Sequence, residues 1–564
     1  MRKTAIFVLG LAISCSLAAL PAAAVAAYDG GDVCVTTQRL SGVDRYGTAV
    51  AVSEAAFPGW EGVRTLVVAS GEDASISDAL AASALSGAMD APLLLVRRDG
   101  VPAPVRSALQ AIASREPTVA VVVVGGPGSV SDACVRAIRT ELGSSAETTR
   151  VFGPDRYATA AAVASLVASR DTSSSPAMVL VANGEPSKGL VDALAGSGVA
   201  ASARAPMLYV ARDSVPEATR SALESLSASQ VVVLGGEGVV SDATARAVGA
   251  TERWWGSNRY GTAAAIAREA RERGIVDATS AVVARTVVDA VASAQLTARG
   301  GGPLVLVSAT GVPQETAAWL SDPGAGISRV TLVGGEGAVP RAVQSELEGR
   351  AHAPEFVVPV RNAPVGKKVV VTVRTGVNTR TVRLYGGTTL LAEKSAAPYS
   401  TVSFGTVASP NDGEALRAVA VSSRGSTGES AMRLRRLAYP AATSIVVDKS
   451  DFRLYWVKND VLVKAYPIAI GRPGMETPVA IWKIGAKYYT DPQSVYGPRK
   501  MRLFRRVVSG DSVRYVYTAY GIHGTNQPWV IGTKASHGCI RMYNKDVLEL
   551  FPQVPLGTLV QTRE

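Results

Sequence analysis

The sequence predicts a multidomain protein: three α/β, Rossmann-like repeat modules, a small all-β connector of Ig-like size, and a C-terminal domain of strand-like pieces. Three observations carry this expectation. Four short markers recur in one order, three times, between Cys34 and Arg350. From Ala353 the pattern changes to alternating apolar and polar residues separated by turn residues. Two of the three histidines and one of the four cysteines then fall in a single window from His523 to Cys539. At 564 residues there is room for about four or more domains. With 47% hydrophobic but only 6% aromatic residues, their cores must be built from small side chains.

Met1-Arg2-Lys3 leads into an apolar stretch from Thr4 to Leu20 and a run of small residues to Ala27. A basic start, a short apolar core and an A-x-A-type end mark residues 1–27 as a secretory signal peptide, with cleavage expected after Ala26 or Ala27. The core is short for a membrane span, and no other apolar stretch of 18 or more residues is free of charge. A secreted mature chain with no transmembrane anchor is therefore expected. Lipid attachment would use Cys15, but Ala12 stands where that signal takes a large aliphatic residue. An oxidising exterior makes Cys34 and Cys134 disulfide candidates. Their bridge would close a loop of about 100 residues, worth up to ~4.7 kcal/mol in the chain-entropy account. Cys539 is left as the odd thiol.

The repeats are read over 34–142, 148–249 and 251–350. The first marker is Arg39-Leu-Ser-Gly-Val-Asp-Arg-Tyr46, returning as Arg150-Val-Phe-Gly-Pro-Asp-Arg-Tyr157 and Arg253-Trp-Trp-Gly-Ser-Asn-Arg-Tyr260. The second is Ser77-Asp-Ala-Leu80, echoed at Val191–Leu194 and Val288–Val291. The third is Ala91-Pro-Leu-Leu-Leu-Val96, with Ala205–Val210 and Gly302–Val307. The fourth is Val121-Val-Val-Val-Gly-Gly126, with Val231–Gly236 and Val330–Gly335. Alanine-rich stretches with helical spacing follow each Arg-Tyr pair. The short, continuously apolar runs read as parallel strands buried on both faces. Strand–helix alternation gives an α/β fold. Ser131-Asp132 and Ser241-Asp242 are N-cap candidates after the Gly-Gly turns. Gly125-Gly126-Pro127-Gly128 is neither G-x-G-x-x-G nor a P-loop, so no nucleotide cofactor is expected.

The triplet resembles the type 2 cell-wall-binding repeats of Gram-positive surface proteins. That resemblance implies three modules around a pseudo-threefold axis that anchor the chain to an anionic wall polymer at the cell surface. The third repeat departs at Arg285-Thr-Val-Val-Asp289, where the polar start of the segment is lost. From Tyr28 to His352 there are 27 Lys/Arg against 33 Asp/Glu, so net attraction cannot hold an anion there. Local sites must, and Arg45, Arg156 and Arg259 are the candidates because a guanidinium fork suits phosphate or carboxylate. The competing reading is that each Arg-Tyr pair fastens its own helix.

The connector, 353–440, alternates in Lys368–Arg374, Thr381–Tyr385 and Leu416–Ser422 between turn clusters such as Gly386-Gly387 and Pro410–Gly413. The connector and the following domain are both basic, which suits an anionic surface; no nucleic acid partner is expected.

In the last domain, 443–564, a thiol becomes a useful nucleophile only as thiolate, and an imidazole is the usual acceptor of its proton. His523 precedes Cys539 by sixteen positions, too far for one helical turn, so separate strands or loops must join them. Zinc sites use three or four ligands in short paired spacings, and no second Cys lies nearby, so no metal is expected. Gly521-Ile-His-Gly-Thr525 followed by Ser536-His-Gly-Cys-Ile-Arg-Met542 resembles the signature of the L,D-transpeptidase catalytic domain. Asp448–Trp456, Gly471, Thr477-Pro478 and Gly557-Thr558 extend the resemblance, with Ala480 where the family has Gly. It implies a mainly-β domain with a deep cleft and no cofactor. It also implies Cys539 as nucleophile and His523 as base, with the Gly524 carbonyl orienting His523. Backbone N–H groups at His537, Gly538 and Cys539 would form the oxyanion site. Arg541, Ser536 and Tyr496 are further substrate-binding candidates; for Tyr496, Trp482 and Trp529, core packing is the competing reading. The implied substrates are peptidoglycan stem peptides and the implied product a 3→3 cross-link; the alternatives are hydrolysis at the same site, or a surface adhesin with a vestigial enzyme domain.

Overall fold

The computed structural model describes residues 31–116, 118–143, 146–170, 175–186, 190–277, 279–357, 362–363, 368–408, 414–433, 435–436 and 438–564. The proposed signal peptide and Cys15 lie outside the described residues. The chain divides into two compact units, 1–349 and 350–564.

The first unit holds three four-stranded parallel sheets. One runs Leu93–Val96, Thr65–Ser70, Ala120–Val124, Thr148–Val151. The second runs Met207–Val210, Met178–Asn183, Gln230–Leu234, Glu252–Trp254. The third runs Leu304–Leu306, Ser280–Ala284, Arg329–Val333, Thr36–Leu40. The sheets are out of phase with the sequence repeats. Each takes its fourth strand from the start of the next repeat, and the third sheet takes it from the start of the first. The chain closes on itself at Thr36–Leu40, where Leu40 sits beside Val333.

The first marker is explained by this exchange. Its leading arginine reaches back to the Gly-Gly turn of the preceding repeat: Arg150 Nη1 donates to the Gly125 carbonyl at 2.9 Å, Arg253 Nη1 to Gly235 at 2.8 Å and Arg39 Nη1 to Gly334 at 2.8 Å. Those three glycines have φ of +113°, +98° and +108°, a region that a side chain would strain. The marker's Asp44, Asp155 and Asn258 are N-caps, accepting from the backbone N–H groups of Gly47, Ala158 and Gly261. Ser131 and Ser241 cap their helices as well. Helices Ile76–Ala88 and Leu190–Ala203 are mostly buried and rich in Ala, Ser and Gly, so neighbouring backbones approach closely. Bonds between repeats follow, including Tyr209 Oη to the Ser77 carbonyl at 3.0 Å and Ser83 Oγ to the Val291 carbonyl at 3.3 Å.

One expectation fails. No disulfide joins Cys34 to Cys134. Cys134 is buried on helix Asp132–Leu142, while Cys34 donates to the Glu348 carbonyl at the end of the third repeat. The strand exchange separates them: Cys34 travels with the third sheet, Cys134 with the first.

In the second unit an antiparallel sheet, Thr389–Ser395, Thr381–Gly386, Ala415–Val421, Thr427–Arg433, faces the pair Lys368–Arg374 and Thr401–Ala408. Their apolar residues Val371, Val382, Leu384, Phe404 and Leu416 form one core with Val446, Tyr455, Val457 and Leu462 of the following segment. Lys368–Arg374 also pairs with Val461–Gly471. The connector thus shares core and sheet with the C-terminal domain.

Beyond it, eight strands pair in a closed circuit: Val461–Gly471, Arg453–Lys458, Ser444–Asp448, Leu559–Arg563, Ala480–Tyr489, Arg499–Ser509, Ser512–His523 and Ile540–Met542, the last pairing back to the first. The circuit surrounds a core that includes Trp456, Trp482 and Ile522. Among the described residues, no helix is long and apolar enough to cross a membrane.

Candidate active site

The strand that closes the circuit, Ile540–Met542, positions the site. It lies parallel to the end of Ser512–His523, with Ile522 beside Ile540 and His523 beside Arg541. Registered neighbours share a face of the sheet, as do residues two apart on one strand. Cys539 lies two residues before Arg541 and directly before the strand. His523 thus ends one strand and Cys539 directly precedes its parallel neighbour, with Cys539 Sγ donating to the Ala519 carbonyl at 3.9 Å.

His523 is buried, and its Nδ1 is 2.6 Å from the Gly524 carbonyl. A carbonyl only accepts, so this bond places the proton on Nδ1 and leaves the Nε2 lone pair free. Burial pushes the imidazole down to about 4; the Gly524 bond opposes this, and Lys500, Arg541 and Arg502 add to it. The ring is thus a neutral base at neutral pH. Tyr496, partly exposed, meets it edge-on with centroids 5.1 Å apart, and Lys500 Nζ lies 3.5 Å from the Tyr496 ring centre.

The loop carrying Cys539 is held from beneath. Ser536, 1% exposed, donates to the Cys539 carbonyl at 2.6 Å and accepts from the Gly538 N–H at 3.0 Å. Thr477 Oγ1 donates to the Gly538 carbonyl at 3.0 Å and accepts from the Gly471 N–H at 2.9 Å. Gly538 has φ of +101°, and a Cβ there would stand 2.4 Å from the Tyr520 ring. Ser536 spends its one donor and one lone pair on bracing the loop, which makes it a positioning residue. The Gly538 N–H is spent on Ser536 and cannot also serve an oxyanion; the Cys539 N–H lies outside that brace.

The remaining candidates divide. His537 is exposed, with Nε2 3.0 Å from Arg472 Nη2; guanidinium only donates, so Nε2 accepts. Arg541 Nη1 donates to Gln527 at 2.9 Å, and its Nε is buried without a partner among the described residues. Trp482 is core and bonds Thr562 at 3.0 Å, while Trp529 is exposed. Thr477, Gln527, Arg472 and Tyr520 were not singled out as functional in sequence. Only the Thr477-Pro478 turn gave a signal, and it did not reveal a contact to Gly538. A cleft of about 380 Å³ beside the loop is bordered by Lys449, Phe452, Gly471, Glu476, Thr477 and Lys534.

In the repeats, Arg45 bonds the Gly71 carbonyl and Asp73, and Arg156 bonds the Gly184 carbonyl at 3.0 Å, which fastens both within the fold. Arg259 is exposed and borders a cleft of about 860 Å³.

Comparison with known proteins agrees with this division. The L,D-transpeptidase catalytic domain family (YkuD) matches residues 442–561, and cell wall binding domain 2 matches 39–135, 150–245 and 253–344. The "Putative L,D-transpeptidase YkuD" of Bacillus licheniformis is 38% identical over 22% of this chain and 64% of its own length. The N-acetylmuramoyl-L-alanine amidase LytC of Bacillus subtilis is 32% identical over 42% of this chain and 43% of its own. The "Putative L,D-transpeptidase YqjB" of Bacillus subtilis is 30% identical over 22% of this chain and 71% of its own. The chain thus spans less than two thirds of the length of the first two of these relatives.

Proposed function

We propose, since this chain belongs to the L,D-transpeptidase catalytic domain family and to the proteins built on cell wall binding domain 2, that it is a wall-anchored cysteine L,D-transpeptidase. The observation that carries the reading is the His523 bond to the Gly524 carbonyl, which leaves Nε2 as a free base at the end of the strand beside the one that Cys539 precedes. Cys539 Sγ attacks the carbonyl of the third residue of a tetrapeptide stem, and its proton passes to Nε2. The C–N bond to the terminal D-Ala breaks, D-Ala leaves carrying that proton, and a thioester remains. An amine from a second stem then attacks. The C–S bond breaks, the amine proton passes through Nε2 to the sulfur, and a 3→3 cross-link is formed.

Each other group has a role in this scheme. The His537 and Cys539 N–H groups are the backbone donors left for the developing oxyanion, a contribution commonly worth ~2.7–4 kcal/mol per donor. Arg541 holds a substrate carboxylate through its guanidinium. His537, held by Arg472, shapes the donor side. Residues 1–27 export the chain, and the three repeats, arranged about a pseudo-threefold axis, hold it on the wall. LytC, similar over 42% of this chain and 43% of its own length, carries a different named activity, which supports an anchoring rather than a chemical role for the repeats. The Ig-like connector presents the enzyme.

The test is incubation of the protein with disaccharide-tetrapeptides, with products weighed. Dimers lighter by one D-Ala support transfer, and trimmed tripeptides alone mean that water is the acceptor. Cys539→Ala loses at least about a thousandfold in turnover with an unchanged melting curve; undiminished turnover ends the thiol mechanism.

A further inference from the structure

The three repeats place an equivalent aspartate beside each Gly-Gly turn, buried at Asp78 and Asp192 and half-buried at Asp289, and the three are not equivalent in bonding. Asp78 accepts from Ser129 Oγ at 3.0 Å. Asp289 accepts from Thr286 Oγ1. Asp192 is 5% exposed and has no hydrogen-bond donor among the described residues. Where the first repeat has Ser129, in Gly125-Gly-Pro-Gly-Ser129, the second has Val239, in Gly235-Gly-Glu-Gly-Val239. A buried carboxylate without a donor is costly, and this one borders the cleft of about 860 Å³.

The same cleft differs from its counterparts in its rim. Trp255, half-buried, lies against the Gly235-Gly236 turn, its ring 3.1 Å from where a Gly236 Cβ would stand. Phe152 holds the corresponding place over Gly126, and Ser41 is the residue at this place in the remaining repeat. Arg259 and Asn258 also line this cleft. Arg253 is already spent on Gly235, Val240 and Asp242. Arg259 has no ion pair within bonding distance among the described residues, and its charge opposes the effect of burial on the Asp192 carboxyl.

We propose that the cleft between the second and third repeats binds one sugar residue of an acidic glycan. The ring face lies on Trp255, ring hydroxyls donate to Asp192, and the acidic substituent pairs with Arg259. An aromatic face, a buried acceptor lacking a donor and an unpaired guanidinium fit a polyhydroxylated anion. A bare phosphate would leave Asp192 unanswered, and a neutral sugar would leave Arg259 unanswered. The assignment rests on the reading of the repeats as wall anchors and names the place and chemistry of one anchor point.

The experiment uses the full chain and three probes: a uronic-acid-containing oligosaccharide, an N-acetylglucosamine oligomer and poly(glycerol phosphate). Intrinsic fluorescence reports binding, and retention on isolated walls is measured alongside. The expected result is preferential binding of the acidic oligosaccharide, weakened at least tenfold by Trp255→Ala and by Arg259→Gln but unaltered by Phe152→Ala. Both tested side chains are at least partly exposed, and the melting curve of each variant verifies folding. Equal binding of poly(glycerol phosphate), or unchanged affinity in both variants, overturns the assignment. If the wild type and both variants stay on walls equally, the cleft is wrong and wall anchoring stands. If the wild type is not retained, both readings fall.

Discussion

His523 in the catalytic domain and Asp192 in the second repeat are both buried titratable groups whose charged form is suppressed by loss of water. Burial pushes the imidazole down to about 4 and the carboxyl up to about 7. Their surroundings differ. His523 has a carbonyl fixing its tautomer, and the neighbouring loop carries a second layer of bonds from Ser536, Thr477 and Gly471. Asp192 has only a distant guanidinium and open space. A site whose bonds are complete is organised before its substrate arrives. One with a buried acceptor and no donor is completed by what it binds.

The largest effect that tests this contrast is Gly538→Ala. The new Cβ meets the Tyr520 ring, and φ of +101° is strained for any side chain, a cost of about 1–3 kcal/mol. Because the loop is braced on both sides, it has no slack to absorb the change. Activity should fall at least tenfold while substrate capture by the repeats is untouched. Turnover and wall retention measured on the same variant check this. Retained turnover would mean that the loop is not preorganised.

Next comes acidity, where the two groups pull in opposite directions. The folded pKa of His523 lies below its ordinary value of 6.5, so between about 4 and 6.5 the unfolded chain binds more protons. Stability from this group is full above 6.5 and is lost as pH falls toward 4, by up to about 3 kcal/mol. Asp192 has a folded pKa above its ordinary value. Its contribution is full below about 3.8 and is lost as pH rises toward 7. His523→Gln should flatten the acid side of the stability curve, measured by denaturant titration from pH 4 to 8. An unaltered acid limb would show that His523 is not the group responsible. In the intact enzyme, the acid limb of kcat/KM should lie near pH 4 rather than 6.5.

The contrast also shows what a sequence can reveal. The repeats were legible because each marker answers a local need: a cap at Asp44, a left-handed turn at Gly125, a buried strand at Val121–Val124. The catalytic pair was legible because histidine is rare here and both side chains sit in short ordered strings. The fourth strand of each sheet was not, since Thr148–Val151 and Thr36–Leu40 gain partners only by long-range pairing that local pattern does not encode. The connector's core was hidden for the same reason: Val382 and Leu384 read as one face of a strand, without a sign that Tyr455 and Leu462 cover it. Ser536 was legible only as a member of the motif; the bonds to the Gly538 N–H and the Cys539 carbonyl reveal its bracing role.

The smallest effect is the sharpest test of the comparison. Val239→Ser restores to the second repeat the hydroxyl that Ser129 offers Asp78. Val239 is only partly buried, so little apolar area is lost. A hydroxyl bonded to the carboxylate lowers the folded pKa of Asp192 and stabilises the charged form, a gain of about 1 kcal/mol. That gain should be small near pH 5, where Asp192 is protonated, and should grow toward pH 8 as it ionises. Melting temperatures of wild type and variant across this range give the difference directly. Growth with pH means that Asp192 lacks a donor in the free protein, and the same variant should then bind the acidic oligosaccharide more weakly, because the acceptor is already answered. A difference independent of pH would mean that the carboxylate is satisfied some other way, and the distinction drawn between the two buried groups would collapse.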